Sequence, residues 1–179
     1  NNVASSISNS GTLTFNNLTV SATPTSQAQY NTSFSVAGTF ATSGAISFAP
    51  TGGTITMNNV ASSISNSGTL TFNNLTISAT PTAQSQYNTS FSVAGEFNLL
   101  AGTFAPTDGT ITMSSAGSSI TNGGVITFNN LIIAVTPTVP NQYDVSFSMR
   151  RTLTVNGGVT FAPTSGSTIT MSHATSAIS

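Results

Sequence analysis

The ionisable residues of this chain are few, and none is placed where catalysis would need it. The 179 residues include two basic side chains, three acidic ones, one histidine and no cysteine. Glycan-cleaving enzymes hold two carboxyl groups a short fixed distance apart, and a Ser–His–Asp triad needs its three groups in contact. Asp108 and Asp144 occupy different positions of a tandem repeat, and no carboxylate lies near His173 in the sequence. We therefore predict that the protein is not an enzyme and holds neither a metal ion nor a cofactor.

Internal repetition gives a test of each charged residue, because the other copies of the repeat show what else the position accepts. The aligned sets are Asp108 with Gly52, Asp144 with Asn31 and Asn88, Glu96 with Thr39 and Thr152, and Arg150-Arg151 with Ala37-Gly38 and Ala94-Gly95. Every charge has neutral counterparts, so the repeat itself does not depend on charge.

The composition narrows the classes of partner. Charged residues make up 3% of the chain and the formal net charge is −1, whereas soluble domains carry about 25% charged residues. A nucleic-acid-binding protein would need a basic surface, so we expect no nucleic-acid partner. The longest apolar stretch, Leu131–Val135, is too short to span a bilayer. Chains rich in Ser, Thr and Asn without Cys or Lys are typical of extracellular or cell-surface proteins, and we expect that location here.

Pairs of threonines with the pattern T-x-T are the most prominent polar motif. They are Thr12/Thr14, Thr54/Thr56, Thr69/Thr71, Thr110/Thr112 and Thr168/Thr170. A flat array of Thr resembles the ice-binding face of some antifreeze β-solenoids, but Thr is also the favoured polar residue of exposed strands. Other segments separate the two kinds of pair in each repeat, so we expect them not to form one regular row.

Three tandem repeats account for nearly the whole chain. Asn1–Phe40 and Asn58–Phe97 differ at four positions only, namely Val20/Ile77, Ser26/Ala83, Ala28/Ser85 and Thr39/Glu96. We divide the chain into repeat one (1–57), repeat two (58–113), repeat three (114–171) and the start of a fourth (172–179). Repeats of this size are typical of stacked architectures, in which each unit buries an apolar edge against the next.

Alternating apolar and polar residues predict short strands separated by corners, with no helix signal. Leu13 and Phe15 share one parity and Leu18 and Val20 the other, so the chain must bend at the intervening Asn pair. We expect further strands at Tyr30–Phe40, Ala45–Phe48 and Thr54–Met57, and five or six strands per repeat. The predicted core comprises Leu13, Phe15, Leu18, Val20, Phe34, Val36, Ile46, Phe48, Ile55, Met57, Leu70, Phe72, Ile126 and Phe128. The predicted corners are Asn16, Asn17, Asn73, Asn74, Asn129 and Asn130.

Two architectures fit this pattern: a right-handed parallel β-helix (β-solenoid) and a string of small β-sandwiches. A sandwich made from a single repeat would be small for an independent domain without a disulfide or metal ion. Nearly identical neighbouring domains would also risk mispairing during folding. We therefore predict one continuous all-β solenoid, coiling two or three times per repeat, in which like stacks on like and the corner Asn side chains form ladders.

A family resemblance supports this fold. The segments GTITMNNVASSISNSGTLTFNNLTI (Gly53–Ile77) and GTFAPTDGTITM (Gly102–Met113) resemble the repeats of large bacterial surface β-helix proteins. The resemblance implies a right-handed β-helix with a secreted or surface-anchored, fibrous or adhesive role, and no catalytic residues. The longer segment Ala22–Thr32 departs from that pattern.

The function expected from the sequence is structural. We expect a fibre, sheath or cell-surface filament whose subunits associate end to end with themselves or continue in a longer chain. The alternative is an adhesin or a module that binds a sugar, a host surface or ice through the same scaffold.

Overall fold

The computed structural model describes residues 2–164 and 166–179, and these form a parallel β-solenoid of about seven turns. All sixteen strand pairings among the described residues are parallel. A residue and its partner in the ladder lie one turn apart, as Thr54 and Asn74 do in a short turn and Thr152 and Ala177 in a long one. Even at the longer of these spacings, a repeat takes more than two turns of the solenoid.

Twenty short strands and three 3₁₀ turns form the described chain. The elements are β1 (Thr14–Phe15), β2 (Leu18–Val20), η1 (Gln27–Tyr30), β3 (Phe34–Val36), β4 (Thr39–Thr42), β5 (Ser47–Phe48), β6 (Thr54–Met57), β7 (Ser63–Ser65), β8 (Thr69–Phe72), β9 (Asn74–Ile77), η2 (Gln84–Tyr87), β10 (Phe91–Val93), β11 (Glu96–Leu99), β12 (Thr103–Phe104), β13 (Thr110–Met113), β14 (Ser119–Asn122), β15 (Val125–Phe128), β16 (Asn130–Ile133), η3 (Pro140–Tyr143), β17 (Phe147–Met149), β18 (Thr152–Val155), β19 (Ile169–Met171) and β20 (Ala177–Ile178).

The strands stack into three faces. Face 1 is the sheet β1-β3-β6-β9-β11-β14, and face 2 is the sheet β5-β8-β10-β13-β16-β18-β20. Face 3 consists of β2-β4-β7 and β12-β15-β17-β19, with η2 between them, since η2 contacts β7 and Tyr87 packs on Phe104 with ring centroids 5.3 Å apart. Successive elements along the chain pass from face 1 to face 3 to face 2 and then start again.

Each repeat supplies eight sides to this three-faced coil, which is two and two-thirds turns. Counted from β1, the first eight sides are β1, β2, η1, β3, β4, β5, β6 and β7, and the pattern starts again at β8. Because eight is not a multiple of three, equivalent sides of consecutive repeats lie on different faces. Phe15, Phe72 and Phe128 are equivalent, yet their strands β1, β8 and β15 belong to faces 1, 2 and 3. The prediction that like stacks on like is therefore wrong.

The order of stacking is nevertheless fixed, because every side lies beneath the side three positions later in the chain. The first side of a repeat stacks on the sixth side of the repeat before it, as β8 does on β5 and β15 on β12. The second stacks on the seventh, as β9 does on β6 and β16 on β13. Each type of side thus keeps the same two neighbours in all repeats, although the face on which they meet changes.

The core fills the interior of the coil. All the predicted core residues from Val20 onward are buried, whereas Leu13, Phe15 and Leu18 are only partly buried because they lie in the first turn. Edge-on and tilted aromatic contacts connect the turns, with Phe40 between Phe48 and Phe72 at centroid distances of 5.3 and 5.5 Å. These parallel ladders and the apolar interior hold consecutive repeats in one continuous body.

Two local predictions are wrong. The predicted strand Tyr30–Phe40 is interrupted: Tyr30 ends the 3₁₀ turn η1, and Ala37–Gly38 forms a corner between β3 and β4. The segment NNVASSIS, which is absent from the predicted strands, contains β7 in repeat two. Among the described residues, repeat one (1–57) has six strands, β1–β6, within the predicted number, whereas repeat two (58–113) has seven, β7–β13; each also has one 3₁₀ turn.

The three Asn pairs lie at corners, but on three different edges of the coil, so they do not stack into a ladder. The second Asn of a pair connects adjacent turns. In repeat two, Asn74 Nδ2 donates to the Gly53 carbonyl (3.3 Å), and its Oδ1 accepts from the Glu96 amide (2.8 Å). A Cβ on Gly95 would clash with Asn74 Oδ1, so this corner requires glycine in the turn above.

Repeat three lacks that glycine. Arg151 stands where repeat two has Gly95, and the bond from the Thr152 amide to Asn130 Oδ1 is 3.3 Å long. The corresponding bond to Asn17 Oδ1 in repeat one is 2.7 Å. The hydrogen bond that closes the corner is therefore weaker in repeat three. Asn16, Asn73 and Asn129 contribute their carbonyls to the same corners, where they accept from Gly38, Gly95 and Arg151.

Candidate functional site

As expected from the sequence, the T-x-T pairs do not form one regular row, because the pairs of successive repeats lie on different faces. Within each repeat, however, they belong to a mixed row of threonine and serine. A serine strand lies between the two threonine strands of each repeat: on face 1, Thr14 pairs with Ser35 and Ser35 with Thr56. The same triple recurs on the other faces, as Thr71–Ser92–Thr112 on face 2 and Thr127–Ser148–Thr170 on face 3. The sequence concealed this arrangement because the three strands belong to three successive turns and are far apart along the chain.

We define the hydroxyl array of a repeat as six alternate positions on three adjacent strands and the residues just before them. The arrays comprise Thr12, Thr14, Ser33, Ser35, Thr54 and Thr56 in repeat one; Thr69, Thr71, Ser90, Ser92, Thr110 and Thr112 in repeat two; and Val125, Thr127, Ser146, Ser148, Thr168 and Thr170 in repeat three. Each array borders a shallow groove, with volumes of about 200, 210 and 480 Å³ in repeats one, two and three. Phe34, Phe91 and Phe147 line these grooves from below.

Hydrogen bonds between turns fix the groove walls. In repeat two, Asn66 Nδ2 donates to the Ser90 carbonyl (2.9 Å), and the Thr110 amide donates to Ser90 Oγ (3.1 Å). Equivalent bonds occur in the other repeats, from Asn9 and Asn122 to Ser33 and Ser146, and from Thr54 and Thr168 to the same serine side chains. The first serine of each S-x-S motif is therefore engaged in a hydrogen bond between turns, and it also lines the groove.

The groove of repeat three differs in size and in chemistry. Val125, which is 58% exposed, replaces the first threonine of the array, and Asp144 adds a carboxylate to the lining. The carboxylate accepts from the amide and hydroxyl of Thr164, both at 2.7 Å. Asn31 and Asn88 make the equivalent hydrogen bond in the other repeats, where each Oδ1 accepts from a threonine amide at 2.8 Å. Asp144 thus caps a turn, as its asparagine counterparts do.

The remaining charged residues are dispersed. Glu96 on β11 accepts from the Thr121 hydroxyl (2.9 Å), and Asp108 caps the amide of Gly109 (2.8 Å). His173 Nδ1 lies 3.0 Å from the Thr175 hydroxyl in an exposed loop. Within the described part of the chain, Arg150 Nε is buried and makes no hydrogen bond. These contacts are structural, and they do not bring the charged groups into one constellation.

The tyrosines of the 3₁₀ turns belong to the core. Tyr30, Tyr87 and Tyr143 pack on Phe48, Phe104 and Phe161 at centroid distances of 5.1 to 5.3 Å. Burial raises the pKa of the Tyr87 and Tyr143 phenols well above the ordinary value, and that of Tyr30 in the same direction. The phenols stay neutral at physiological pH and add no charge to the surface.

The arrays can donate and accept hydrogen bonds at regular intervals, which suits a neutral partner rich in hydroxyl groups. Stacked strands place the hydroxyls of one row about 4.8 Å apart along the axis. A hydroxyl becomes a nucleophile only beside a general base, and the grooves of repeats one and two are lined by neutral side chains.

Comparison with protein-family models, with curated proteins and with solved structures finds no match to this chain. Among residues 2–164 and 166–179, three or more His, Cys, Asp or Glu side chains nowhere cluster as a metal site would require. No helix in the same part of the chain is long and apolar enough to cross a membrane.

Proposed function

We propose that this chain is a structural segment of an extracellular fibre, sheath or cell-surface filament, in which further repeats continue the solenoid along its axis. The observation that carries the proposal is the way in which consecutive repeats stack. β8 pairs with β5 and β9 with β6, and the same pairing recurs as β15 with β12 and β16 with β13. A further repeat can extend the solenoid through the same pairs of sides, which bury apolar side chains such as Phe72 at each junction.

The edges of the terminal turns are also suited to extension. Each outermost strand presents unpaired backbone groups, and soluble proteins usually protect such edges with charges, especially Lys, or with a covering element. The chain has a net charge of −1 and only 3% charged residues, so charge repulsion against axial stacking is weak. A head-to-tail contact of this kind is heterologous and leads to an open filament.

The eight-sided repeat gives such a fibre a defined symmetry. One repeat moves every feature to the next face and advances it by two and two-thirds turns, about 13 Å at a strand spacing of about 4.8 Å. Three repeats complete eight turns, about 38 Å, and return each feature to its original face. A fibre of these repeats has a screw axis with a threefold rotation.

Fibre diffraction and electron microscopy of the native material test the proposal. We expect filaments, a near-meridional reflection at about 4.8 Å and an axial repeat of about 38 Å with a strong meridional third order near 13 Å. A protein that stays as single short particles at high concentration, and that exists in the native material only in that form, would contradict the fibre function.

A second candidate function is supported by the hydroxyl arrays, namely binding of a sugar polymer, a host surface glycan or ice. The screw symmetry presents one array on each face, so a segment of three repeats offers three similar surfaces. Thr112→Lys, in the middle of a strand bordering the groove of repeat two, should abolish binding to insoluble polysaccharide or thermal hysteresis at that array. Leu100→Lys, at an exposed position (54%) outside the grooves, is the control and should leave both unchanged.

A further inference from the structure

Two asparagines of the chain are followed directly by glycine, and both pairs lie at corners of repeat three. They are Asn122-Gly123, at the end of β14, and Asn156-Gly157, just after β18. In such a pair the backbone nitrogen of the glycine can attack the asparagine side chain with little hindrance, because glycine has no Cβ. The two pairs have the same local chemistry, so a difference in their reactivity must come from their surroundings.

Hydrogen bonds of the fold hold the first pair. Asn122 Nδ2 donates to the Ser146 carbonyl (3.3 Å), and its Oδ1 accepts from the Gly124 amide (2.7 Å). The Gly123 amide donates to the Leu99 carbonyl of the preceding turn (2.7 Å). The two groups that would have to react, the side-chain amide and the backbone nitrogen, are therefore both engaged.

The second pair is exposed, and its reactive groups are free. Among residues 2–164 and 166–179, the Asn156 side chain makes no hydrogen bond and nothing accepts one from the Gly157 amide. A Cβ on Gly157 would meet no atom within 4 Å. The backbone of the corner is nevertheless fixed, since the Asn156 amide donates to the Ile133 carbonyl (3.1 Å) and its carbonyl accepts from the Val159 amide (3.0 Å).

This exposure is a property of the position in the repeat. Leu100-Ala101 precedes Gly102 in repeat two as Asn156-Gly157 precedes Gly158, and the two last glycines have φ values of +82° and +79°. Leu100 is 54% exposed, although β11, the strand before it, is paired on both sides. The Ala101 amide likewise donates no hydrogen bond within the described part of the chain. Stacking of adjacent turns therefore leaves this corner open to water.

We propose that Asn156 is a site of self-modification, at which the side-chain amide is converted to a carboxylate. The Gly157 nitrogen gives its proton to a solvent base and attacks Asn156 Cγ. The new C–N bond closes a succinimide ring, and the side-chain nitrogen leaves as ammonia. Water then opens the ring at either carbonyl. One product has aspartate at position 156, and the other has isoaspartate, in which the main chain runs through the former side chain.

Both products change the surface of the corner. They add one negative charge to a chain whose formal net charge is −1, at the position that the exposed Leu100 has in repeat two. Isoaspartate also lengthens the main chain by one methylene, within the turn that the bond from the Val159 amide to the Asn156 carbonyl closes. The extent of the modification records the age of the molecule, whatever its function.

Proteolytic peptides separate the two asparagines, so that each can be followed by itself. The tryptic peptide 152–179 contains Asn156 and no other Asn or Gln, and the chymotryptic peptide 105–128 contains Asn122 and no other. The folded chain is incubated at mildly alkaline pH, which favours loss of the amide proton, and is then digested. Mass spectrometry measures the gain in mass as the amide becomes a carboxylate in each peptide.

We expect Asn156 to convert at least about ten times faster than Asn122 in the folded chain, because the hydrogen bonds of Asn122 and Gly123 must open first. In urea the two rates should become similar. Equal rates in the folded chain, or no conversion at Asn156, would overturn the proposal. A difference that persisted in urea would also overturn it, since the fold would then not be the cause.

Two variants identify the reacting groups. Gly157→Ala introduces the residue that repeat two has as Ala101, at a site with room for the Cβ, so circular dichroism should be unchanged while conversion at Asn156 slows severalfold. Asn156→Ser removes the side-chain amide, and the mass of peptide 152–179 should then stay constant. A Gly157→Ala chain that folds normally and converts as fast as the original would refute attack by the Gly157 nitrogen.

Discussion

The same side of the repeat is a buried strand in repeat two and an irregular segment in repeat three. Thr103–Phe104 forms β12, and Phe104 is fully buried because β15 stacks on it. Thr160–Phe161 has nearly the same local sequence, but it forms no strand and Phe161 is only partly buried. No described strand pairs with this segment from above. Strand formation in this solenoid therefore depends on the neighbouring turn more than on local sequence.

The largest difference in stability is expected when a charged residue replaces each of the two equivalent phenylalanines in turn. Phe104→Asp puts an unpaired carboxylate into the core and should destabilise the protein by at least about 4 kcal/mol or prevent folding. Phe161→Asp leaves the carboxylate able to reach water and should cost much less. Urea unfolding followed by circular dichroism compares the two variants, and equal losses would mean that the terminal turn is as well packed as the interior.

A smaller effect is expected where a buried isoleucine is shortened. Ile120→Ala removes a side chain that is 2% exposed, and should cost about 2–4 kcal/mol through lost burial and the resulting cavity. Ile178→Ala, at 67% exposure, should cost less than about 0.5 kcal/mol in the isolated chain. Thermal unfolding at low protein concentration measures both. A large loss for Ile178→Ala under those conditions would indicate that another part of the chain covers it.

At the Asn corner, substitutions in repeats two and three should change the free energy of unfolding in opposite directions. Gly95→Ala introduces a Cβ that clashes with Asn74 Oδ1, so the bond to the Glu96 amide must lengthen, at a cost of about 1–2 kcal/mol. Arg151→Gly removes the corresponding Cβ and should be neutral or slightly stabilising, because the 3.3 Å bond between Thr152 and Asn130 can shorten. If Arg151→Gly lowered the unfolding free energy substantially, Arg151 would have a role that these contacts do not explain.

The smallest effect is expected at the turn cap. Asp144→Asn gives repeat three the residue of repeats one and two, and the Thr164 hydroxyl can reverse its role from donor to acceptor. The free energy of unfolding should change by less than about 1 kcal/mol. Binding to sugar polymers, if the groove of repeat three contributes to it, should weaken, because the carboxylate is a stronger acceptor than the amide. Guanidinium unfolding and a polysaccharide pull-down measure the two effects separately.

Alternation of apolar and polar residues was enough to predict the inward side chains, because the period of two is a direct property of a strand. It also revealed the Asn16–Asn17 corner, where the parity of inward residues changes between Phe15 and Leu18. The corner at Ala37–Gly38 was invisible for the opposite reason. Val36 and Phe40 both point inward on either side of it, so the parity continues unbroken and the two strands read as one.

The number of turns that one repeat makes, and hence the phase between repeats and faces, could not be predicted from the sequence. The length of one repeat fits two long turns or three short ones, and only the stacked backbone shows that it is two and two-thirds. The hydroxyl arrays depend on that phase, since it places Ser35 between Thr14 and Thr56. The hydrogen bonds from the Gln86 side chain to the Val60 and Ser62 carbonyls of an adjacent turn were not predicted either. Their donor and acceptors lie in different turns and are distant in sequence.

The fixed stacking order has a consequence for how such a chain changes over generations. Unequal recombination between nearly identical copies, such as 1–40 and 58–97, adds or removes one whole repeat. Every side then still stacks on the two kinds of neighbour that it had before. The only change is that the repeats after the insertion or deletion are rotated by a third of a turn about the solenoid axis. The gene can therefore lengthen or shorten in whole units without new compensating mutations, while a gain or loss of part of a unit sets mismatched sides against each other.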